Sequence, residues 1–245
     1  MKTIIVICFF CGLFIQSVFS QNREQGRFVK RIEENYYFQS PNDRYINVNS
    51  KGDIEKLFFG DFNALSEFSY LPSSDNAFRR PPSGFRVLKN SSNTSYILEV
   101  KYISNYEEAS REASKKYPTI SNDNRAQIVE HNRVAFAKRH EEMLNLFKVE
   151  TRSFTISNQF AEKLYEKMVS VIDNFKAKAP PTMLPGGYSV VFRNVVDHEV
   201  WSLSIHMPQD DAQKMADLCL KIITDAQSNQ LDVSKYISVL DTFKN

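Results

Sequence analysis

The sequence predicts an α+β fold: a mainly antiparallel sheet, built from two hairpins at residues 84–103 and 187–206 and covered by helices. Three observations predict it. Two pairs of segments alternate apolar and polar residues on either side of a polar turn. Each pair is followed by a segment whose apolar residues recur at three- and four-residue spacing, which is typical of a helix. Strands that come as hairpins, with helices after them, favour antiparallel pairing under a helical layer.

The hairpin at residues 187–206 is predicted to form the core. Its first strand places three apolar side chains on one face: Tyr188, Val190 and Phe192. Its second strand places Trp201, Leu203 and Ile205 on one face, opposite the polar residues Ser202, Ser204 and His206. The next helix repeats apolar residues from Ala212 to Ala226. We therefore expect Trp201 to be buried, and Trp201→Ala to cost about 3–5 kcal/mol of stability.

The hairpin at residues 84–103 follows the same alternation. Phe85 and Val87 on its first strand match four apolar residues on its second: Tyr96, Leu98, Val100 and Tyr102. Ser104 lies three residues before Glu107, which is the pattern of a capping box, and Pro118 ends the helix behind it.

The remaining elements are predicted from periodicity and capping residues. A long helical pattern covers Asn124–Lys148, and a strand follows at Val149–Ile156. Ser157 is placed to cap another helix, and Val233–Leu240 can form a short last one. Near the N-terminus, the segment Phe28–Phe38 favours a strand.

The first 20 residues have the pattern of a secretory signal peptide. Lys2 precedes an unbroken apolar run from Ile4 to Ile15, and Val18 and Ser20 stand where signal peptidase reads the chain. The run is short for a membrane span, so a retained anchor is the alternative interpretation. No later stretch is long and apolar enough to form a transmembrane helix in the mature chain. We predict cleavage after Ser20 and export to the periplasm, the cell surface or the medium.

The charge and the cysteines restrict the classes of partner and compartment. Removal of the leader takes away one of the 31 basic side chains, Lys2, and none of the 29 acidic ones. The mature chain is then nearly neutral, which gives no reason to expect nucleic acid as a partner. Cys8 and Cys11 leave with the leader, and Cys219 alone cannot form an internal disulfide. An exported chain without disulfides favours a bacterial envelope.

The chain is predicted to have three parts. Residues 1–20 form the signal peptide. Residues 21–83 form a polar tether and then an aromatic-rich segment that wraps the domain. Residues 84–245 form the α+β domain, and the 42% hydrophobic content of the chain is enough to bury its core.

No catalytic residues, metal site or cofactor are predicted. His131 and His140 are nine residues apart, on opposite sides of a helix, and cannot share a metal ion. Ser202, Ser204 and His206 share a strand face, and Asp210 or Asp211 could orient the histidine. Neighbours on that face are roughly 7 Å apart, however, which is too far for a nucleophile and its base.

The candidate binding residues are the aromatic side chains that crowd Leu57–Tyr70: Phe58, Phe59, Phe62, Phe68 and Tyr70. Gly60, Asp61 and Asn63 break the periodicity that a core helix would show. Two interpretations stay open. Either the rings complete the core, or they form an exposed patch that binds a protein or an apolar ligand.

Two functions are compatible with these features. The first is an exported non-enzymatic protein that binds a partner or ligand at the cell envelope. The second is an exported hydrolase whose site is assembled from residues distant in sequence. A cleft with converging titratable groups would favour the hydrolase, and a flat aromatic patch without one would favour the binding protein.

Overall fold

The computed structural model describes residues 27–34, 52–60, 62–90, 95–120, 125–175 and 186–243. The predicted signal peptide, residues 1–20, and the start of the polar tether lie outside the described residues.

The described residues form one sheet of seven strands. The strands are β1 (Arg27–Glu34), β2 (Ser66–Pro72), β3 (Ser83–Lys89), β4 (Tyr96–Ile103), β5 (Val149–Ile156), β6 (Tyr188–Val196) and β7 (Glu199–His206). Their order across the sheet is β1-β7-β6-β2-β3-β4-β5. All neighbours pair antiparallel except β1 and β7, which pair parallel.

The helices lie between and after these strands. They are α1 (Asp53–Phe59), α2 (Ser74–Ala77), α3 (Tyr106–Lys116), α4 (Arg125–Leu146), α5 (Asn158–Asn174), α6 (Asp210–Gln227) and α7 (Val233–Leu240). The predicted α+β class with a mainly antiparallel sheet is confirmed. Both predicted hairpins form, as β3–β4 and β6–β7.

One face of the sheet carries the main core, and we call it the apolar face. Alternate residues of five strands point into it: Phe68 and Tyr70, Phe85 and Val87, Leu98 and Val100, Val190 and Phe192, and Leu203 and Ile205. The apolar sides of α5, α6 and α7 cover these residues, and Leu164, Met168 and Ile222 are fully buried between the layers. Period-two strands and period-3.6 helices therefore meet along one continuous interface.

The opposite face carries the intervening residues, and we call it the charged face. Glu67, Arg86, Glu99 and Arg193 belong to it because each is adjacent along its strand to a residue of the main core: Phe68, Phe85, Leu98 and Phe192, respectively. A second, smaller core lies over part of this face, where Phe58, Phe59 and Ile103 are buried. Side chains from α1 and from the α3–α4 region line this smaller core.

Ser157 caps α5 as predicted: its hydroxyl accepts a hydrogen bond from the Phe160 amide at 3.3 Å. The predicted capping box at Ser104 is wrong, because α3 begins one residue later, with Asn105 as its N-cap. Ser104 instead donates to the Lys148 carbonyl at 3.2 Å. The Asn105 side chain accepts from the Lys148 amide at 2.7 Å. Both residues therefore tie the start of α3 to the chain that follows α4.

Trp201 lies at the rim of the main core rather than inside it. It packs against the buried residues of the apolar face but is only half-buried, whereas Leu203 on the same strand is fully buried. The predicted face is right and the predicted depth is wrong, because Trp201 lies two residues nearer the β6–β7 turn, where the covering helices no longer enclose the strand.

The division of the chain at residue 84 does not match the sheet. Strand β2 comes from the segment at residues 21–83, yet it lies between β6 and β3 near the centre of the sheet. Strand β3 begins at Ser83 and crosses the proposed boundary. The aromatic-rich segment supplies a helix and a central strand, so it belongs to the same structural unit as the hairpins.

Candidate ligand-binding site

The five aromatic residues predicted to bind a partner do not form one exposed patch. Phe58 is 1% exposed, Phe59 5%, Phe68 0% and Tyr70 5%, and Phe62 is half-buried. They are also divided between the two faces of the sheet. Phe58 and Phe59 belong to the small core over the charged face, whereas Phe68 and Tyr70 belong to the main core. The interpretation that these rings complete the core agrees with this placement. Their role in partner binding stays a prediction.

Phe59 rests directly on the sheet because residue 84 is a glycine. A Cβ atom at Gly84 would lie 3.1 Å from the Phe59 ring and 2.5 Å from the Phe68 carbonyl oxygen. Two cations flank the same ring: the guanidinium of Arg86 lies 5.7 Å and the ammonium of Lys101 5.9 Å from its centroid. The ring therefore fixes α1 to β3 and β4.

A row of charged residues crosses four neighbouring strands at one register. Arg193 on β6 lies opposite Glu67 on β2, Glu67 lies opposite Arg86 on β3, and Arg86 lies opposite Glu99 on β4. Their signs alternate along the row. Arg86 Nε donates to Glu99 Oε1 at 2.7 Å, and its Nη1 donates to Asn63 Oδ1 at 2.8 Å. Cross-strand pairs of opposite charge stabilise a sheet.

The buried end of this row holds α1 to the sheet. Arg193 is 6% exposed, and its Nη1 atom forms ion pairs with Glu55 of α1 and with Glu67, which are 3% and 1% exposed. Glu55 also accepts a hydrogen bond from the Gly52 amide at 3.0 Å, so its two oxygens serve the helix start and the arginine. Removal of one partner from a buried ion pair typically costs about 3–5 kcal/mol. This cluster has a structural role that explains it fully.

A cleft lies on the apolar side, at the edge where β4 ends, and we call it the arginine cleft. Its volume is about 240 Å³. The residues between α2 and β3 form one wall, and the second half of α6 forms the other. Its polar lining consists of Arg79, Arg80, Ser83, Tyr102, Thr224 and Gln227. Its apolar lining consists of Pro81, Ile103, Leu220 and Ile223.

Local structure fixes the backbone of the two arginines that line this cleft. The backbone amides of Arg79 and Arg80 both donate to the Asn76 carbonyl at 3.0 Å. The Asn76 side chain in turn donates to the Gly187 carbonyl at 3.0 Å, which ties α2 to the start of β6. Pro81 restricts the backbone immediately after Arg80. The backbone of the pair is therefore held in place while both side chains are exposed.

The cleft has an excess of positive charge. No acidic residue lines it. Among the described residues, the guanidinium groups of Arg79 and Arg80 form no ion pair or side-chain hydrogen bond. The guanidinium of Arg80 lies 6.0 Å from the centroid of the Tyr70 ring. Burial raises the pKa of Tyr70, and the positive charge of Arg80 opposes part of that shift.

Tyr102 connects the cleft to a third arginine. Its hydroxyl donates to Glu150 Oε2 at 2.6 Å and accepts from Arg152 Nε at 3.3 Å. Burial and the hydrogen bond to Glu150 raise the pKa of Tyr102, so the hydroxyl stays protonated at neutral pH. Arg152 Nη1 also donates to the Ala226 carbonyl at 3.4 Å, which joins β5 to the end of α6. The far wall of the cleft is therefore braced by hydrogen bonds between elements.

A serine and a histidine meet elsewhere, across the β6–β7 pair. Ser189 lies opposite His206 in the ladder, and Ser189 Oγ lies 3.2 Å from His206 Nδ1. Spacing along the chain relates His206 only to Ser202 and Ser204 on its own strand, and these lie too far from it along the strand. Strand register is the signal that would have found Ser189, because the first residues of β6 face the last residues of β7.

Other reactive groups give no site. In the part of the chain that the structure describes, no three His, Cys, Asp or Glu side chains are grouped so that they could hold a metal ion. Cys219 is fully buried in α6, and burial raises the pKa of its thiol well above the usual range, so it is a poor nucleophile. Within the described residues, no helix combines the length and the apolar character needed to cross a bilayer.

The sequence alone does not identify the arginines of the cleft. Arg79 and Arg80 precede two prolines, and nothing in that stretch marks them as functional. The opposite wall of the cleft comes from α6, more than 130 residues later in the chain. In comparisons with known proteins, no protein family, curated protein or solved structure matches the chain.

Proposed function

We propose that this is an exported, non-enzymatic protein that binds a partner or ligand at the cell envelope, and that the arginine cleft receives an anionic group. One observation carries the proposal. Two exposed arginines, Arg79 and Arg80, line a cleft that has no acidic lining. Arginine binds carboxylates and phosphates through paired hydrogen bonds, which makes such a site selective for anions.

The size and lining of the cleft restrict the ligand further. Its volume of about 240 Å³ is below the range of roughly 300–1,000 Å³ that accommodates drug-sized ligands and cofactors. The apolar residues Leu220 and Ile223 line the same cleft and can pack against a short hydrocarbon chain. A carboxylate with a short apolar tail, free or as part of a partner chain, fits these features best.

Hexanoate and acetate are suitable probes, because they share the carboxylate and differ in the tail. In isothermal titration calorimetry we expect hexanoate to bind more tightly than acetate, and added salt to weaken both. We expect the double variant Arg79→Ala/Arg80→Ala to lose at least tenfold in hexanoate affinity, since each lost charged hydrogen bond is worth roughly 1.5–3 kcal/mol.

A matched control is Arg111→Ala, which removes an exposed arginine on α3, away from the cleft. This variant should bind hexanoate like the natural chain. The proposal fails if hexanoate does not bind, or if the cleft variant and the Arg111 variant bind it equally well.

Export rests on the leader alone and has its own test. N-terminal sequencing of protein from the natural host should give Gln21 as the first residue. Mature protein that begins at Met1 would contradict export by cleavage after Ser20.

A second candidate function is an exported hydrolase, and the contact between Ser189 and His206 favours it. With Nδ1 unprotonated, His206 could accept the Ser189 proton while the serine oxygen adds to an ester carbonyl carbon. The histidine would then return this proton to the alcohol that leaves when the C–O bond of the ester breaks. A fluorophosphonate probe should then label the natural chain and not Ser189→Ala, while Ser204→Ala should be labelled normally. Absence of labelling in the natural chain would exclude this candidate.

A further inference from the structure

Strand β5 forms one edge of the sheet. Among the described strands, it pairs with β4 on one side and with none on the other. It is eight residues long, and four of its residues are exposed: Glu150, Thr151, Ser153 and Thr155. An edge strand presents a row of unpaired amides and carbonyls that can template a further strand.

The alternation of hydrogen-bonded pairs between β4 and β5 shows which residues of β5 have backbone amides and carbonyls that point away from β4. The Ser104 amide donates to the Lys148 carbonyl at 3.0 Å, and these residues lie opposite each other in the same register. Hydrogen-bonded pairs recur every second residue in an antiparallel ladder, so Glu150 and Arg152 bond inward to β4. The backbone groups of Thr151 and Ser153 therefore point outward.

We infer that β5 pairs antiparallel with β5 of a second copy of this chain, with Thr151 on the two-fold axis. In this register the two Thr151 residues form a hydrogen-bonded pair through their outward backbone groups. Glu150 then lies opposite Arg152 of the second copy, and Arg152 opposite Glu150 of the second copy. Two reciprocal ion pairs result, both at non-hydrogen-bonded positions, where opposing side chains lie closest.

Charge complementarity selects this register. A register shifted to place Arg152 on the axis would set two guanidinium groups against each other, which is destabilising. A register centred on Ser153 would set Arg152 opposite Phe154 and give neither Arg152 nor Glu150 an opposite charge on the second copy. The hydrogen bonds that Glu150 and Arg152 make with Tyr102 hold both side chains on one face of the strand, where the ion pairs would form.

Disulfide trapping tests the register directly. All variants carry Cys8→Ser and Cys11→Ser, so that the introduced thiol and the buried Cys219 are the only ones. Thr151→Cys should form a covalent dimer on mild oxidation, because hydrogen-bonded partners have Cα atoms about 5.5 Å apart, within disulfide range. Ser153→Cys presents a thiol from the same edge and should stay monomeric, because the two Ser153 residues would be roughly 14 Å apart along the strands.

A second measurement uses the mass of the unmodified chain in solution, 28.4 kDa for one copy. We expect a dimer whose dissociation constant rises at least tenfold in Thr151→Pro, which removes an outward amide without removing a bond to β4. Thr151→Val keeps the amide and should dimerise normally. Glu150→Lys, which sets two cations opposite each other, should weaken the dimer as Thr151→Pro does even if the proline variant fails to fold.

Four outcomes would overturn the inference. The chain could be monomeric at every concentration, the dimer could be insensitive to Glu150→Lys, or Ser153→Cys could cross-link as well as Thr151→Cys. Capture of an extended peptide by a monomeric chain would assign the edge to a different partner and also overturn it.

Discussion

The two faces of the sheet are buried by different means. On the apolar face, aromatic and aliphatic side chains from five strands meet three helices in one continuous core. On the charged face, four of these strands present arginines and glutamates that pair with each other in register. Helix α1 is held there by the buried rings of Phe58 and Phe59 and by a buried ion pair between Glu55 and Arg193.

This difference shows why alternation of polar and apolar residues does not by itself identify a solvent-facing surface. Arg193 and Glu67 stand where a half-buried strand would have solvated residues, yet both are at most 6% exposed. Their charges are compatible with burial because each lies next to its opposite. The same arrangement explains the aromatic-rich segment. Some of its rings pack α1 against the charged face, and others fill the core on the apolar face.

The largest expected effect separates Phe59 from Phe62. Phe59→Ser should destabilise the fold by about 3–5 kcal/mol, because it removes a buried ring and leaves a cavity over Gly84. Phe62→Ser should cost about 1 kcal/mol, because that ring is half-buried. Urea unfolding of both variants measures the difference. Equal and small effects would restore the exposed patch as an interpretation.

Gly84→Ala tests the close contact between α1 and the sheet. The new methyl group would lie 2.5 Å from the Phe68 carbonyl oxygen, so β3 or β2 must shift. We expect a loss of about 3 kcal/mol, at the upper end for overpacking. Gly52→Ala is the control, since a Cβ there would lie 3.4 Å from its nearest neighbour, the Glu55 carboxylate. If the melting temperature shifts equally in both variants, the Phe59 ring does not pack directly on Gly84.

Trp201→Ala measures how deep the apolar face extends toward the β6–β7 turn. The half-buried indole should contribute less than a fully buried residue, and we expect a loss of about 1–3 kcal/mol. Leu203→Ala, on the same face and fully buried, should cost about 2–5 kcal/mol. A larger loss for Trp201 than for Leu203 would place the centre of this core nearer the turn.

The smallest effect at neutral pH is expected from Tyr236, which lies in the helical layer of the apolar face. Its hydroxyl donates to Asp225 Oδ2, and burial followed by this hydrogen bond raises its pKa. A tyrosine with a raised folded-state pKa contributes stability that is complete below the unfolded pKa of about 10 and is lost as the pH rises above it.

Tyr236→Phe should therefore cost about 1 kcal/mol at neutral pH, the value of one hydrogen bond. It should also make the stability fall less steeply above about pH 10. Guanidinium unfolding across the alkaline range checks this. Parallel pH profiles for the natural chain and the variant would contradict the assignment.

The apolar face was largely predictable from the sequence. Period-two runs such as Tyr188–Phe192 and helical faces such as Phe160–Ile172 need only local spacing, and both lie where the spacing predicts. Capping by Ser157 was also predictable, because the cap bond joins residues three apart. The depth at which Trp201 is buried was not predictable, because it depends on where the covering helices end.

The charged face and the arginine cleft depend on register between distant segments. Arg193 meets Glu55 across 138 residues, and Arg80 and Thr224 line one cleft although they lie far apart in the sequence. Ser104 shows the same limit on a local scale: its capping pattern was present, but the end of α4 offered its hydroxyl a different partner. No spacing rule reports such contacts before the strand order is known.

A double-mutant cycle on Glu55 and Arg193 tests most directly the claim that the charged face is a buried, ion-paired layer. Glu55→Gln keeps an oxygen for the Gly52 amide and removes the charge, and Arg193→Met removes the guanidinium. We predict a coupling energy of about 2–3 kcal/mol from urea unfolding. The exposed pair Glu130–Arg133 is the matched control and should show almost none. Equal coupling in the two cycles would contradict the account, because the charges on this face would then be solvated.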